Sequence, residues 1–302
     1  MTTFRILPWL FLAIFPIASA AARPVTVVAA NMIIADMVRE VGGNAVKIAC
    51  LARSGADLHA FEPQATDVRA LADADLVVLN GLGLEPWIDK LVRNSGFRGT
   101  VIEACDGVDV ITERDDHAED AGSHAHDHAA DPHAWHEPAS ARIYVRNIRN
   151  ALAAAAPEST DQFAAGEAQF LTKLERIDSW AREAFSALPT EHRRFVTSHD
   201  SLAYLGRAYG IEIISVTGIA ASAEPSAKRV AEVIDLIRAS GVRAVFVDAA
   251  DNPALMRRIA TDTGVRIGGS LLTDGLDAPG TGADSYLGMM EQNLRRILDS
   301  LQ

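Results

Sequence analysis

Short apolar runs rich in β-branched residues alternate with amphipathic stretches along most of the chain. The first series comprises VTVVAA, AVKIACL, DLVVLNG and TVIEAC, and the second comprises RRFVTSHD, IEIISV, VRAVFVD and VRIGGSLL. Strand-like runs that alternate with helical patterns predict a parallel sheet covered by helices. Because this pattern occurs twice, the sequence predicts an α/β fold with two lobes, each of the (β/α)4 type.

The two series are separated by a long stretch without proline, in which apolar residues recur at three- and four-residue steps. Pro157 precedes this stretch, acidic residues lie in its first turn, and Pro189 follows it. The pattern predicts one long rigid helix, residues 157–188. It joins an N-terminal lobe, residues 23–156, to a C-terminal lobe, residues 189–302, so we expect the lobes to move little against each other.

The N-terminus has the pattern of a secretory signal peptide. A basic residue is followed by an apolar run and then by the small-residue motif ASA, which is typical of a cleavage site. The run is too short to span a bilayer comfortably and contains two prolines. We therefore expect residues 1–22 to be cleaved and the mature chain to be periplasmic. Because neither cysteine lies near the cleavage point, we expect a freely soluble protein and not a lipoprotein.

The chain has 40 acidic and 28 basic residues, which gives a formal net charge of −12 at pH 7. A surface of this kind repels nucleic acid and attracts cations, so no nucleic-acid partner is expected. Cys50 and Cys105 each end an apolar run. They could form one disulfide in an oxidising compartment or remain two buried thiols, and the sequence leaves both alternatives open.

Three histidines and one aspartate stand where predicted strands end. His59 follows the second strand and His133 the fourth, whereas His199 ends the first strand of the second lobe and Asp274 follows its last strand. Open parallel sheets bind ligands at the carboxyl ends of their strands. If these edges face each other, three imidazoles and one carboxylate converge in the interlobe cleft, a tetrahedral set that suits Zn²⁺. A lone histidine at a strand end is more often an ordinary hydrogen-bonded residue, so the surrounding sequence decides between the two interpretations.

That surrounding sequence resembles the metal-binding solute-binding proteins of ABC importers, the family that contains ZnuA, TroA and PsaA. The segments that carry the resemblance are, in chain order, LHAFEPQATDVRALADADLVVLNGLGLEPWIDKL, DPHAWHEP, SHDSLAYLGRAYGI, EPSAKRVAEVIDLIRASGVRAVFVD and LLTDGL with DSYLGMMEQNL. The resemblance runs from about residue 24 to the C-terminus. It implies that His59, His133, His199 and Asp274 are the four metal ligands.

The resemblance also implies a function. Such a protein is not an enzyme; it captures a metal ion and delivers it to the membrane permease of an ABC importer. His199 stands where manganese-selective relatives carry glutamate, and imidazole favours Zn²⁺ over Mn²⁺. We therefore expect a monomeric zinc-binding protein, and delivery by a periplasmic zinc metallochaperone stays open. The alternatives are a manganese- or iron-binding member of the family, a metal-dependent adhesin and a zinc hydrolase. Four protein ligands leave little room for a catalytic water, which disfavours the hydrolase.

The motifs depart from the family pattern at a few positions. Leu58 replaces the usual proline before the first ligand, and His136 with Glu137 stands where Leu-Asp is common after the tryptophan. No ligand is lost, and the role of His136 stays undecided. Because outer hydrogen bonds fix the tautomer of a ligating histidine, Glu62, Glu137 and Asp200 are candidates for that role.

A second group of histidines lies in an acidic segment that is poor in apolar residues, the predicted His-rich loop at residues 112–131. Its members ahead of the predicted ligand are His117, His124, His126 and His128. A His-x-His-x-His tract offers close nitrogen donors, which favours weak capture of a second zinc ion. The alternative is a solvated segment whose histidines do little.

Overall fold

The structure is a computed structural model. It describes residues 23–53, 57–112, 130–219, 225–249 and 252–302. The predicted signal peptide and the four histidines of the acidic segment lie outside these ranges. Within them, no helix combines the length and the hydrophobicity that crossing a membrane requires.

The N-terminal lobe is built on a four-stranded parallel sheet with the strand order β2-β1-β3-β4. The strands are β1 (Val25–Asn31), β2 (Val46–Ala52), β3 (Leu76–Leu79) and β4 (Thr100–Glu103). The helices of this half are α1 (Met32–Gly42), α2 (Ala65–Ala72), α3 (Ile88–Ser95) and α4 (Pro138–Ala155). Side chains of β1 and β3 are buried on both faces, as expected for the central strands of a covered parallel sheet.

The C-terminal lobe repeats this arrangement with the order β6-β5-β7-β8. Its strands are β5 (Arg194–Thr197), β6 (Glu212–Ser215), β7 (Ala244–Asp248) and β8 (Arg266–Leu271). Its helices are α6 (Ala203–Tyr209), α7 (Ala227–Ser240), α8 (Ala254–Thr263) and α9 (Tyr286–Leu301). The prediction of two parallel α/β lobes is therefore confirmed.

The predicted long helix is α5 (Thr160–Ser186), and the residues after Pro157 first form a short 3-10 turn. Phe170 packs in the core of the N-terminal lobe, and Phe185 packs in the core of the C-terminal lobe. The helix approaches α1 closely at Gly166, where a Cβ atom would lie only 2.3 Å from the carbonyl oxygen of Val41. Any larger residue there would push α5 off the N-terminal lobe.

A second helix, α9, also contributes to both cores. Tyr286 and Met290 in its first half belong to the core of the N-terminal lobe, whereas Leu294 and Ile297 belong to that of the C-terminal lobe. The buried carboxylate of Asp36 on α1 accepts the backbone N–H of Tyr286 at 2.8 Å, so the N-terminus of α9 is capped from the opposite lobe. Sequence periodicity assigned α9 to the second lobe alone; the structure makes it another rigid connection.

Cys50 and Cys105 are free thiols, which decides the alternative left open by the sequence. Burial raises the pKa of Cys50 to about 11 and that of Cys105 to about 12. Both thiols are therefore protonated and unreactive at neutral pH.

Candidate functional site

The four residues singled out in the sequence lie in loops at the carboxyl ends of strands. His59 follows β2 in a turn whose backbone N–H groups bond to Asp57, and His133 opens the 3-10 turn before α4. His199 follows β5, and Asp274 follows β8. The strands of the two sheets thus end at one cleft, and each lobe brings two of these residues to it.

The structure places the four side chains in two overlapping groups of possible metal ligands that share Asp274: one with His59 and His133, the other with His199 and Asp248. The ring centroid of His133 lies 5.3 Å from that of His59 and 5.7 Å from that of His199. The two carboxylate oxygens of Asp274 each lie 3.4 Å from a histidine, Oδ1 from Nε2 of His133 and Oδ2 from Nε2 of His199. Ligand atoms around a tetrahedral zinc ion with bonds of about 2.0–2.1 Å are spaced by roughly 3.3–3.4 Å. The two separations from the Asp274 carboxylate to His133 and His199 fit a cation of this size.

Several polar atoms at this point lack partners. Nε2 of His59, His133 and His199 and Oδ1 of Asp274 are all buried, and none has a hydrogen-bond partner within the described part of the chain. Buried polar atoms are almost always hydrogen-bonded, so a cluster of unsatisfied ones calls for a ligand. Three nitrogen lone pairs and one carboxylate oxygen are donors suited to a divalent transition metal.

Two of the histidines have an aspartate carboxylate close to the Nδ1 atom of the ring. The carboxylate of Asp131 lies 2.8 Å from Nδ1 of His133 and also accepts the backbone N–H of that residue. Nδ1 of His199 lies 3.3 Å from the carboxylate of Asp248, within ion-pair distance but without a hydrogen bond in this geometry. A proton held at Nδ1 by an acid leaves the Nε2 lone pair free for a metal, which is the usual outer support of ligating histidines.

These aspartates differ from two of the acids that the sequence indicated. Glu62 is exposed, and Glu137 instead accepts hydrogen bonds from Ser140 and Arg207. Sequence adjacency misled here because a side chain next to a ligand points elsewhere when the backbone turns. Asp248 carried a usable signal, since it ends strand β7 at the same sheet edge as the ligands.

The site attracts positive charge. Burial alone lowers the pKa of His133, but the charge of Asp274 and the hydrogen bond to Asp131 outweigh it and raise that pKa to about 10. At His199, burial also lowers the pKa, but the interaction with Asp274 outweighs it, so the pKa is raised. Burial raises the pKa of Asp274, yet the two histidines hold it well below its usual range. Burial lowers the pKa of His59, which therefore remains a neutral ligand.

His136, undecided from sequence, is completely buried near the ligands. Burial lowers its pKa to about 4, so its imidazole is neutral. Its Nε2 lies 2.9 Å from the backbone carbonyl of Thr273, directly before Asp274. The sequence predicted the burial of neither Trp135 nor His136 because both residues pack against the opposite lobe.

The two described ends of the His-rich segment meet beside this site. Thr112 and Ala130 form an antiparallel bridge. The hydroxyl of Tyr204 on α6 accepts the backbone N–H of Ile111 and donates to the carbonyl of Asp131, both at 3.0 Å. The four sequence-predicted histidines between these ends lie outside the described residues. The last residue of the predicted segment, Asp131, stands two residues before His133 and accepts its backbone N–H.

Two rigid parallel-sheet lobes with a polar cleft between them define the class of two-lobed solute-binding proteins. Comparison with known proteins gives the family: the model for ZnuA, described as the periplasmic component A of a zinc-uptake complex, matches residues 27–300. The chain belongs to this family, whose members are the metal-binding components of ABC importers and act with a membrane permease. It is a transport family and not an enzyme family.

Individual relatives agree with this assignment. The manganese-binding lipoprotein MntA of Halalkalibacterium halodurans is 28% identical over 276 residues, 91% of this chain and 88% of that protein. The manganese ABC transporter substrate-binding lipoprotein PsaA of Streptococcus pneumoniae is 30% identical over 281 residues, with the same coverage of 91% and 88%. The structure of the periplasmic zinc-binding protein TroA from Treponema pallidum matches with a TM-score of 0.82 at 26% identity, covering 93% of this chain and 99% of that one.

The prediction that the protein is not a lipoprotein is wrong. MntA and PsaA are both named lipoproteins, and they match nearly the whole chain. The prediction depended on where cysteines stand relative to an inferred cleavage point in residues 1–22. Lipid attachment is a property of the N-terminal segment and not of the folded lobes, so the pattern of the lobes carried no information about it.

Proposed function

We propose that this protein captures Zn²⁺ in the periplasmic space and delivers it to the permease of an ABC importer. The observation that supports this is a buried cleft in which three imidazole nitrogens and one carboxylate oxygen have no hydrogen-bond partner among the described residues, with Asp274 shared by two groups of possible metal ligands. His59 and His133 come from one lobe, and His199 and Asp274 come from the other. A cation held by all four would join the lobes and would be shielded from water until release.

The donor set favours zinc over manganese. Mn²⁺ prefers oxygen ligands, whereas imidazole suits Zn²⁺, and three of the four donors here are nitrogen. A cluster with three histidines and one carboxylate also fits the tetrahedral geometry of zinc. Manganese is the second candidate, because the names of MntA and PsaA state that those relatives bind it. TroA is named a zinc-binding protein.

Metal competition tests this proposal. The mature protein is stripped with a chelator and loaded with Zn²⁺ or Mn²⁺, and the other ion is then added at equal concentration. We expect one tightly bound metal per chain, displacement of Mn²⁺ by Zn²⁺, and no displacement in the reverse direction. Retention of Mn²⁺ against Zn²⁺ would make this a manganese protein. Binding of neither ion would refute the proposed function as a whole.

We propose an auxiliary role for His117, His124, His126 and His128. Donors on a chain tethered beside the cleft raise the local concentration of metal there, which speeds loading without adding to the tight site. Deleting residues 116–129 should therefore leave one zinc per protein at near-native affinity, abolish any second weak zinc and slow uptake in stopped-flow experiments. Unchanged rates and stoichiometry would leave the segment without a role in metal capture.

A further inference from the structure

One backbone carbonyl in the C-terminal lobe receives two hydrogen bonds from the N-terminal lobe. The indole N–H of Trp135 lies 3.1 Å from the carbonyl oxygen of Thr273, and Nε2 of His136 lies 2.9 Å from the same oxygen. All three residues are buried. Because a carbonyl oxygen has two lone pairs, these donors saturate it.

Thr273, whose carbonyl oxygen receives these two hydrogen bonds, directly precedes Asp274. The neighbouring Leu272 is fixed as well, because the side chain of Asn293 on α9 bonds to both its N–H and its carbonyl. The hydroxyl of Thr273 donates to Asp248, the acid behind His199. The chain that leads into Asp274 is thus held at Leu272 and Thr273, and the carboxylate of Asp274 lies between His133 and His199.

We propose that His136 is a positioning residue for the Asp274 carboxylate, acting through the Thr273 carbonyl across the lobe boundary. This inference rests on the proposed function of the cleft as a metal site. His136 does not reach the metal position itself. It restricts the orientation of the peptide between Thr273 and Asp274, so that the carboxylate meets an arriving cation in its binding orientation.

The chemistry of His136 argues against a simple packing role. Its imidazole is neutral, so an Nε2–H that donates to Thr273 leaves Nδ1 as a bare acceptor. That Nδ1 is buried and has no partner among the residues that the structure describes. An apolar side chain of similar size would fill the same space without burying an unpaired nitrogen. The hydrogen bond to the Thr273 carbonyl is the interaction that only the imidazole supplies.

Two substitutions distinguish a positioning role of His136 from a packing role. His136→Leu keeps the approximate volume but removes the donor, whereas His136→Gln keeps an N–H at a similar reach. His192→Leu is the matched control, because His192 lies before β5, at the opposite end of that strand from His199. For each full-length mature protein we would measure Zn²⁺ affinity and dissociation rate, the visible spectrum with Co²⁺ bound, and the thermal unfolding of the metal-free form.

We expect His136→Leu to bind Zn²⁺ about three- to tenfold more weakly through faster dissociation, the effect of losing about one hydrogen bond. Its Co²⁺ spectrum should change because the carboxylate is held less tightly once Trp135 alone bonds to the Thr273 carbonyl, while His136→Gln and His192→Leu should match the wild type in both respects. If His136→Leu does not fold, His136→Asn, whose amide is too short to reach the carbonyl, replaces it with the same expectation.

Three outcomes would overturn the proposal. The first is a native Co²⁺ spectrum and native affinity in the variant that lacks the donor. The second is an equal loss in His136→Gln, and the third is a loss of thermal stability alone. Absence of metal binding in the wild type and in His192→Leu would instead refute the proposed function, so the two failures are distinguishable.

Discussion

The ligands of the candidate site are supported unequally. His133 and His199 are completely buried, and each has an aspartate behind its Nδ1 atom. His59 is only half-buried, and Asp57 bonds to its backbone and not to its ring. The imidazole of His133 is thus fixed by a hydrogen bond and that of His199 is buried beside an acid, whereas His59 follows a short turn and is partly exposed.

This difference in support indicates which ligands contribute most to the free energy of metal binding. Preorganised ligands lose little conformational entropy when they bind, whereas a side chain free to rotate must first be ordered. The pKa values divide in the same way, because those of His133 and His199 are raised and that of His59 is lowered. His133, His199 and Asp274 therefore form a charged, buried half of the site, and His59 completes it as a neutral and partly exposed ligand.

The largest expected effect is the loss of a ligand from the rigid half. His199→Ala should weaken Zn²⁺ binding by more than about a hundredfold, which exceeds what the outer hydrogen-bond partners of a ligand supply. His59→Ala should cost about ten times less, because water can replace a half-buried ligand. His192→Ala should bind like the wild type. Chelator competition measures all three, and equal losses in His199→Ala and His59→Ala would contradict the division of the site.

A smaller effect is expected from the acids behind the rings. Asp131→Asn should lower Zn²⁺ affinity by about 10- to 100-fold, since a neutral amide supports the metal-bound imidazole of His133 less well. Asp57→Asn should change affinity by less than about threefold, because its amide oxygen can still cap the turn at His59. Calorimetry on the two variants compares them directly. A larger loss in Asp57→Asn would show that the turn, and not the buried half, limits binding.

The pH dependence should be about tenfold in affinity per pH unit for each proton displaced. The sign follows from the raised pKa values of His133 and His199. With a pKa of about 10, His133 holds a proton in the metal-free site at neutral pH, and a metal must displace it. Affinity should therefore fall as pH decreases from 8 to 6. His59→Ala should retain this slope, since a histidine with a lowered pKa releases no proton at neutral pH. If the Zn²⁺ affinity of His59→Ala did not change with pH, the proton displaced by the metal would belong to His59, and this prediction would be wrong.

Sequence patterns predicted the strands, the long helix and the four converging side chains. Each of these depends on local chemistry, such as β-branched runs, a helical period or a polar residue at a strand end. Sequence patterns did not indicate that α9 packs into both cores. The periodicity of an amphipathic helix shows that one face is buried, but not which surface it packs against. They also missed the pairing of Asp131 with His133, although the two residues belong to one short motif.

What the sequence determined by itself is the secondary structure and the identity of the donors that the strand ends present. What only the tertiary structure decided is which atoms meet: Asp248 behind His199, and the carbonyl of Thr273 beneath Trp135 and His136. Both contacts join residues far apart in the chain, and the second also joins the two lobes, so its geometry depends on how α5 and α9 set one sheet against the other. Local propensity extends over a few residues, whereas the orientation of two lobes is fixed only when their cores have packed.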